Sequence, residues 1–221
     1  PAVVVVWLRS RSARPRGQPP GRRAVLKAGV GLLGGVGLAS TIGLRRSSVE
    51  TSPLSAIPSS ARDIINQRLA EAERRSLDVD GIPGLVTPVE AFYEVDINPV
   101  NPDVDAADWT LSITGAVDRP MTLDYGDLTD RTVDHRHITL RCVGEPLNGH
   151  EMDSALWTGV PVSDLLAAVE PSSDCACVML HGADGYYEEF PLAALEPGMV
   201  AFGMNGRLLP RRHGFPARAL V

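Results

Sequence analysis

No Asp or Glu occurs before Glu50, although the first 46 residues hold nine of the 21 Lys and Arg side chains. The remainder, 47 to 221, carries 12 basic residues against 27 acidic ones. A chain divided in this way is expected to divide physically as well, into a basic, apolar leader and an acidic globular part. Ala28 to Leu44 is a run of 17 uncharged residues, which as a helix covers roughly 25 Å against a hydrocarbon core of about 30 Å. Extension through Ala24, Val25 and Leu26, with Lys27 snorkelling, lets it cross once. The opening "PAVVVVWL" reads as the end of another apolar span, so the chain is expected to be a fragment.

Between these apolar stretches lie six arginines, Arg9 to Arg23, which place the loop on the cytoplasmic side and the acidic domain outside the cell membrane. "RRAVLK" also fits a twin-arginine export signal, and an ordinary positive flank explains it equally well. The expected organisation is therefore the end of an apolar, transmembrane segment at 1–8, a basic cytoplasmic loop at 9–23 and a transmembrane or signal-anchor helix at 24–44. A linker and surface helix at 45–84 and a globular domain at 85–221 follow.

Within the acidic part, 61 to 75 reads as a charged helix with Ile64, Ile65 and Leu69 as its apolar stripe. Alternation then predicts strands in "DWTLSITGAV", where Trp109, Leu111 and Ile113 share a face, in "HITLRC" and in "CVMLHG". Pro161 and Ser163 open a short helix that Pro171 closes. Short strands, Gly- and Pro-rich loops and a few small helices describe an α+β domain. Its acidity excludes nucleic acid as a natural partner.

Three cysteines, Cys142, Cys175 and Cys177, make no even disulfide set. Cys175 and Cys177 share a strand face and suit core packing, since no second cysteine pair completes a metal site. Cys142 ends an alternating strand, where Ile138, Leu140 and Cys142 point one way, just before the loop "VGEPLNG". Taken locally, such a thiol more often fills core volume than carries chemistry.

Six blocks in order change that balance: "TPVEAFYEVDINP", "DWTLSITGAVDRPMTLDYGDL", "ITLRCVG", "ALWTGVPVSDLL", "VMLHGADGYYEEFPL" and "GMNGRLLPRRHGFPARALV". Together, over 85 to 221, they resemble the molybdenum-cofactor domain of the sulfite oxidase family of molybdopterin-dependent oxidoreductases. The resemblance implies a sulfite-oxidase-like α+β fold, a molybdenum-molybdopterin cofactor and two-electron oxygen-atom transfer. It makes Cys142 the thiolate ligand of molybdenum, a role that suits a soft, polarisable sulfur. It implies that Phe92 and Tyr93 line the pterin, that His213 and Arg218 hold its phosphate and pterin, and that His181 lies near the cofactor. Arginine fits a phosphate because its planar fork of donors stays charged.

The loop "RCVGE" borrows from both the sulfite oxidase pattern and that of the sulfoxide-reducing branch, and Glu145, three residues after Cys142, works against an anionic substrate. The expected substrate is thus sulfite-like or sulfoxide-like, with electrons exchanged with a carrier protein such as a cytochrome. A non-catalytic membrane-anchored scaffold of the same fold is the alternative. Because the resemblance runs into the terminal "ARALV", the domain is expected to be truncated there.

Overall fold

The computed structural model describes residues 2–10, 59–77, 84–97, 99–146 and 149–221. The expected basic loop beyond residue 10, the anchor helix at 24–44 with its twin-arginine-like motif, and most of the linker lie outside the described residues. Among the described residues no helix is long and apolar enough to cross a membrane.

Two sheets form the mixed α/β framework. The first has strand order β3-β2-β1-β6-β7, built from β1 (Ala2–Ser10), β2 (Trp109–Gly115), β3 (Met121–Asp124), β6 (Cys175–His181) and β7 (Tyr187–Pro191). The second has order β10-β8-β5-β4, from β4 (Asp134–Arg141), β5 (Met152–Pro161), β8 (Met199–Met204) and β10 (Arg218–Leu220), with β9 (Arg207–Leu208) hairpinned onto β8. Helices α1 (Ser59–Arg75), α2 (Tyr125–Thr129), α3 (Val162–Val169) and α4 (Leu192–Leu195) connect or cover them.

One expectation changes at the N-terminus. Where the sequence suggested the end of a membrane span at 1–8, the structure has β1, antiparallel to β2 from Val4 opposite Gly115 to Ser10 opposite Trp109. Its other edge runs parallel to β6, with Val3 opposite Cys177 and Trp7 opposite His181. Four consecutive valines are β-branched and favour extended backbone, so the same residues that read as membrane-apolar suit a strand paired on both sides.

The central strands β5 and β8 of the second sheet are buried on both faces, which is why "ALWTGVP" and "MVAFGM" are continuous apolar runs rather than alternating ones. Leu156, Val160, Val200 and Phe202 face the larger core with Trp109, Leu111, Ile113 and helix α3. Ala155, Trp157, Met199 and Ala201 face the other way, into a second core closed by Val89, Phe92, Leu209 and Leu220. Gly159 lets β5 and β8 approach closely, since a Cβ there would lie 2.3 Å from the Val200 oxygen and 2.6 Å from Ala201 Cα.

Helix α1 docks through Ala61, Ile65, Leu69 and Ala72 rather than through the expected stripe that included Ile64. Those four positions recur at helical spacing along one side, while Ile64 is turned about 100° from Ile65 and is exposed. Arg68 on the same helix donates to the His135 carbonyl on β4. Helix α3 begins directly after Pro161, its N-cap, and ends two residues before Pro171, with Glu170, at φ 51°, as C-cap.

Candidate cofactor site

The site forms at the edge of the second core, where four separated segments meet. Residues 84–97 cross the sheet face as an irregular strap, and β5 and the β8–β9 turn hold it in place. The Thr87 N–H donates to the Ser154 carbonyl at 2.7 Å. Asp153, at the start of β5, accepts from the Thr87 hydroxyl at 2.9 Å and from the Tyr93 N–H at 2.7 Å. Asn205 donates its amide to the Thr87 carbonyl at 2.9 Å and accepts from the Leu156 N–H at 2.9 Å. Asn205 and Gly206 both have positive φ, 50° and 75°, as a two-residue Asn-Gly hairpin turn requires.

Phe92 is thereby pressed into the core. It stacks on Tyr93 at 5.4 Å and meets Trp157 at 5.8 Å and His213 at 5.4 Å edge to face. Phe92, expected to line the pterin, instead packs behind Tyr93 and His213, the two rings that border the pocket. Tyr93 is turned to the opening. Burial raises its phenol pKa, Arg218 opposes that rise, and the neighbouring Cys142 adds to it.

Cys142 follows β4 directly, with its N–H bonded to the Glu151 carbonyl at 2.9 Å. Ile138 and Leu140 pack on the second core, as their shared parity with Cys142 implies. The loop after it is closed by Glu145, whose carboxylate accepts from the N–H groups of His150 and Glu151. Gly149 leaves room for that carboxylate, which would have to shift for any larger residue, because a Cβ would fall 1.6 Å from it.

A small pocket brings Tyr93, Glu94, Val95, Cys142, Arg212, His213 and Arg218 together. Beside it, a cavity of about 520 Å³ shares Val95, Arg212, His213 and Arg218 and adds His181, Trp109, Phe190 and Phe215. The structure thus places Tyr93, Cys142, His213 and Arg218 in one pocket. His181, at the end of β6, borders the larger cavity, its ring 5.8 Å from that of Tyr187. Cys175 and Cys177 lie away from both, Cys177 in the core and Cys175 packed against it.

The residues present fit an anionic ligand. Arg218 lies 5.9 Å above the Trp157 ring and forms no hydrogen bond or ion pair among the described residues. Burial lowers its pKa. A desolvated guanidinium without a carboxylate is costly unless a ligand supplies the negative charge. Among the described residues no three or more His, Cys, Asp or Glu side chains converge to hold a metal ion, so a metal beside Cys142 would have to bring other ligands with it.

A family model described as oxidoreductase molybdopterin binding domain matches residues 98–221, more than half of the chain. The chain belongs to that family. Its curated relatives include the nitrate reductase (NADPH) of Aspergillus niger, 32% identical over 164 residues that cover 62% of this chain and 19% of the relative. That of Fusarium oxysporum is 32% identical over 143 residues, 54% of this chain and 16% of the relative. Among solved structures, the sulfane dehydrogenase SoxCD from Paracoccus pantotrophus shares the fold at a TM-score of 0.57 and 21% identity, over 70% of this chain and 47% of that one. The chain spans under a fifth of the length of these nitrate reductases and under half of the SoxCD chain.

Reasoning from sequence passed over Arg212, Asp153 and Asn205. Each carried a signal. Arg212 stands beside His213 in a block already singled out, Asp153 is a lone acid entering an apolar strand, and Asn205-Gly206 is a hairpin signature.

Proposed function

We propose that this domain binds molybdopterin, with Cys142 as the protein thiolate on molybdenum, and carries out two-electron oxygen-atom transfer on a small oxyanion such as sulfite or nitrate. The observation that carries the reading is the convergence of Tyr93, Cys142, His213 and Arg218, from three distant parts of the sequence, on one pocket. When bound, the cofactor supplies the redox chemistry. The chain supplies direction, charge and exclusion of water. The backbone bond to Glu151 and the loop closed by Glu145 aim the Cys142 thiol. Arg218 and His213 would hold the phosphate and pterin, and Tyr93, with a hydroxyl held protonated by burial, would be a hydrogen-bond donor at the pocket mouth.

Support for an anionic substrate comes from the same pocket. Arg212 and Arg218 border Cys142, while the Glu145 carboxylate is engaged by two backbone N–H groups and Glu94 accepts from the Asn101 side-chain amide at 2.9 Å. Glu145 is thus a loop-closing group whose carboxylate is turned to those N–H groups and does not line the pocket. The names of the nitrate reductase relatives agree with an oxyanion, and a sulfoxide remains the second substrate class.

The electron partner in this reading is a carrier protein such as a cytochrome. The proposed location is the outer face of the cell membrane, held by the apolar segment at 24–44. Cys142→Ser in the full-length protein should abolish the molybdenum–thiolate absorption and turnover, whereas Cys175→Ser and Cys177→Ser should leave both. Retention of that absorption in Cys142→Ser would sink the assignment.

A further inference from the structure

We infer that Arg212 is a positioning residue that fixes the single proton of the His213 imidazole on Nδ1, presenting that N–H as a hydrogen-bond donor to the ligand of the cavity. The functional consequence rests on the cofactor reading above; the proton assignment does not.

His213 is only 1% exposed and ends the short 3-10 turn Arg211–His213. Two groups meet its Nε2. The Val89 carbonyl oxygen lies at 3.2 Å and the Arg212 Nε at 3.4 Å. They demand opposite states, because a carbonyl can only accept and needs Nε2–H, whereas a guanidinium can only donate and needs a bare Nε2.

Two considerations decide between them. The Val89 carbonyl already accepts from Arg212 Nη2 at 3.1 Å, so it keeps a partner in either case. The Arg212 Nε–H gains a charge-assisted bond only if Nε2 is bare, and such bonds are about twice as strong as neutral ones. With a proton on Nε2, two N–H groups would face each other. The proton therefore resides on Nδ1.

The doubly protonated ring is disfavoured by burial first, then by Arg212 and Arg218, against the opposing pull of the Val89 carbonyl and Glu94. Phe92 packs edge-on against the ring at 5.4 Å and holds its plane. Nδ1 has no hydrogen-bond partner among the described residues, and His213 borders both the small pocket and the larger cavity. A donor held in this way recognises an acceptor atom, such as a phosphate oxygen or a carbonyl or unprotonated ring nitrogen of a heterocycle.

The test is a long-range proton–nitrogen correlation spectrum of the full-length protein labelled with 15N-histidine, with the His213 signals assigned by their loss in His213→Gln. The wild type should show a pyridine-type Nε2 and a pyrrole-type Nδ1. In Arg212→Met the two should exchange, as Nε2–H turns to Val89, while the His135 pattern stays unchanged and reports an intact fold. A pyrrole-type Nε2 in the wild type overturns the inference even if the variant does not fold, and an unchanged pattern in a folded Arg212→Met does so as well. Molybdenum content measured on the same samples keeps the two readings separate, since the expected pattern in a protein that takes up no molybdenum would uphold Arg212 and remove the cofactor.

Discussion

Replacing Asp153 by alanine should loosen the strap that carries Phe92 and Tyr93. The carboxylate holds two donors from that strap, the Thr87 hydroxyl at 2.9 Å and the Tyr93 N–H at 2.7 Å. A hydrogen bond to a charged group contributes about 1.5–3 kcal/mol, and with Asp153 only half-buried the lower figure applies to each. The expected cost is therefore about 3 kcal/mol, roughly a hundredfold in the folded-to-unfolded ratio. Asp153→Asn keeps the shape and one acceptor, and the Thr87 hydroxyl can rotate to accept from the new amide, so about 1 kcal/mol is expected there. Urea unfolding followed by tryptophan fluorescence measures both, provided that the transitions coincide with those seen by circular dichroism. Amide exchange at Tyr93 should accelerate in Asp153→Ala before global unfolding does. A cost below about 1 kcal/mol for alanine, or unchanged exchange at Tyr93, would refute the view that this carboxylate fixes the strap.

Gly159→Ala places a Cβ against the backbone of Val200 and Ala201, which cannot swing aside, so destabilisation above the usual 1–3 kcal/mol for overpacking is expected in the same unfolding assay. Arg218→Met should change stability by no more than about 1 kcal/mol, because it removes one contact with the Trp157 ring together with a buried, unpaired charge, yet molybdenum per chain measured by elemental analysis should fall sharply. His135, His137 and His213 all have pKa values below that of free histidine, chiefly through burial. Stability should therefore be full above about pH 6.5 and decline as the pH falls below it, since the unfolded chain takes up protons first, levelling off once the folded-state values are passed. Urea titrations at pH 7.5 and 5.5 should show that loss, and His135→Gln, which can still bond Thr158, should make it smaller.

What the sequence made legible follows from which forces are local. Alternation at Trp109, Leu111 and Ile113 is set by the two-residue period of a strand with one buried face, and all three are buried as the pattern requires. The proline boundaries of helix α3 are equally local. Strands buried on both faces leave no period, so β8 gave no signal of its own beyond its apolar run. The N-terminal valines are ambiguous for a related reason, because an apolar run suits a membrane or a fully paired strand and only the partners decide.

Four of the residues that the resemblance singled out, Tyr93, Cys142, His213 and Arg218, meet in one pocket, whereas Phe92 lies behind it and the electrostatics were not legible. Glu145 is three positions from Cys142, and sequence proximity suggests a negative field at the thiol. In three dimensions the loop folds back so that His150 and Glu151 hold the carboxylate, while Arg212 and Arg218, about seventy residues away, turn to the pocket. Two cations, Arg212 and Arg218, and one carboxylate, Glu94, line the pocket, while the Glu145 carboxylate is turned to His150 and Glu151; Arg218 has no ion-pair partner among the described residues. A half-buried guanidinium beside a thiol is an arrangement that a bound anion would stabilise, and affinity for an anion paired with it is expected to depend on ionic strength less than at a surface site, because a partly desolvated pair is less screened.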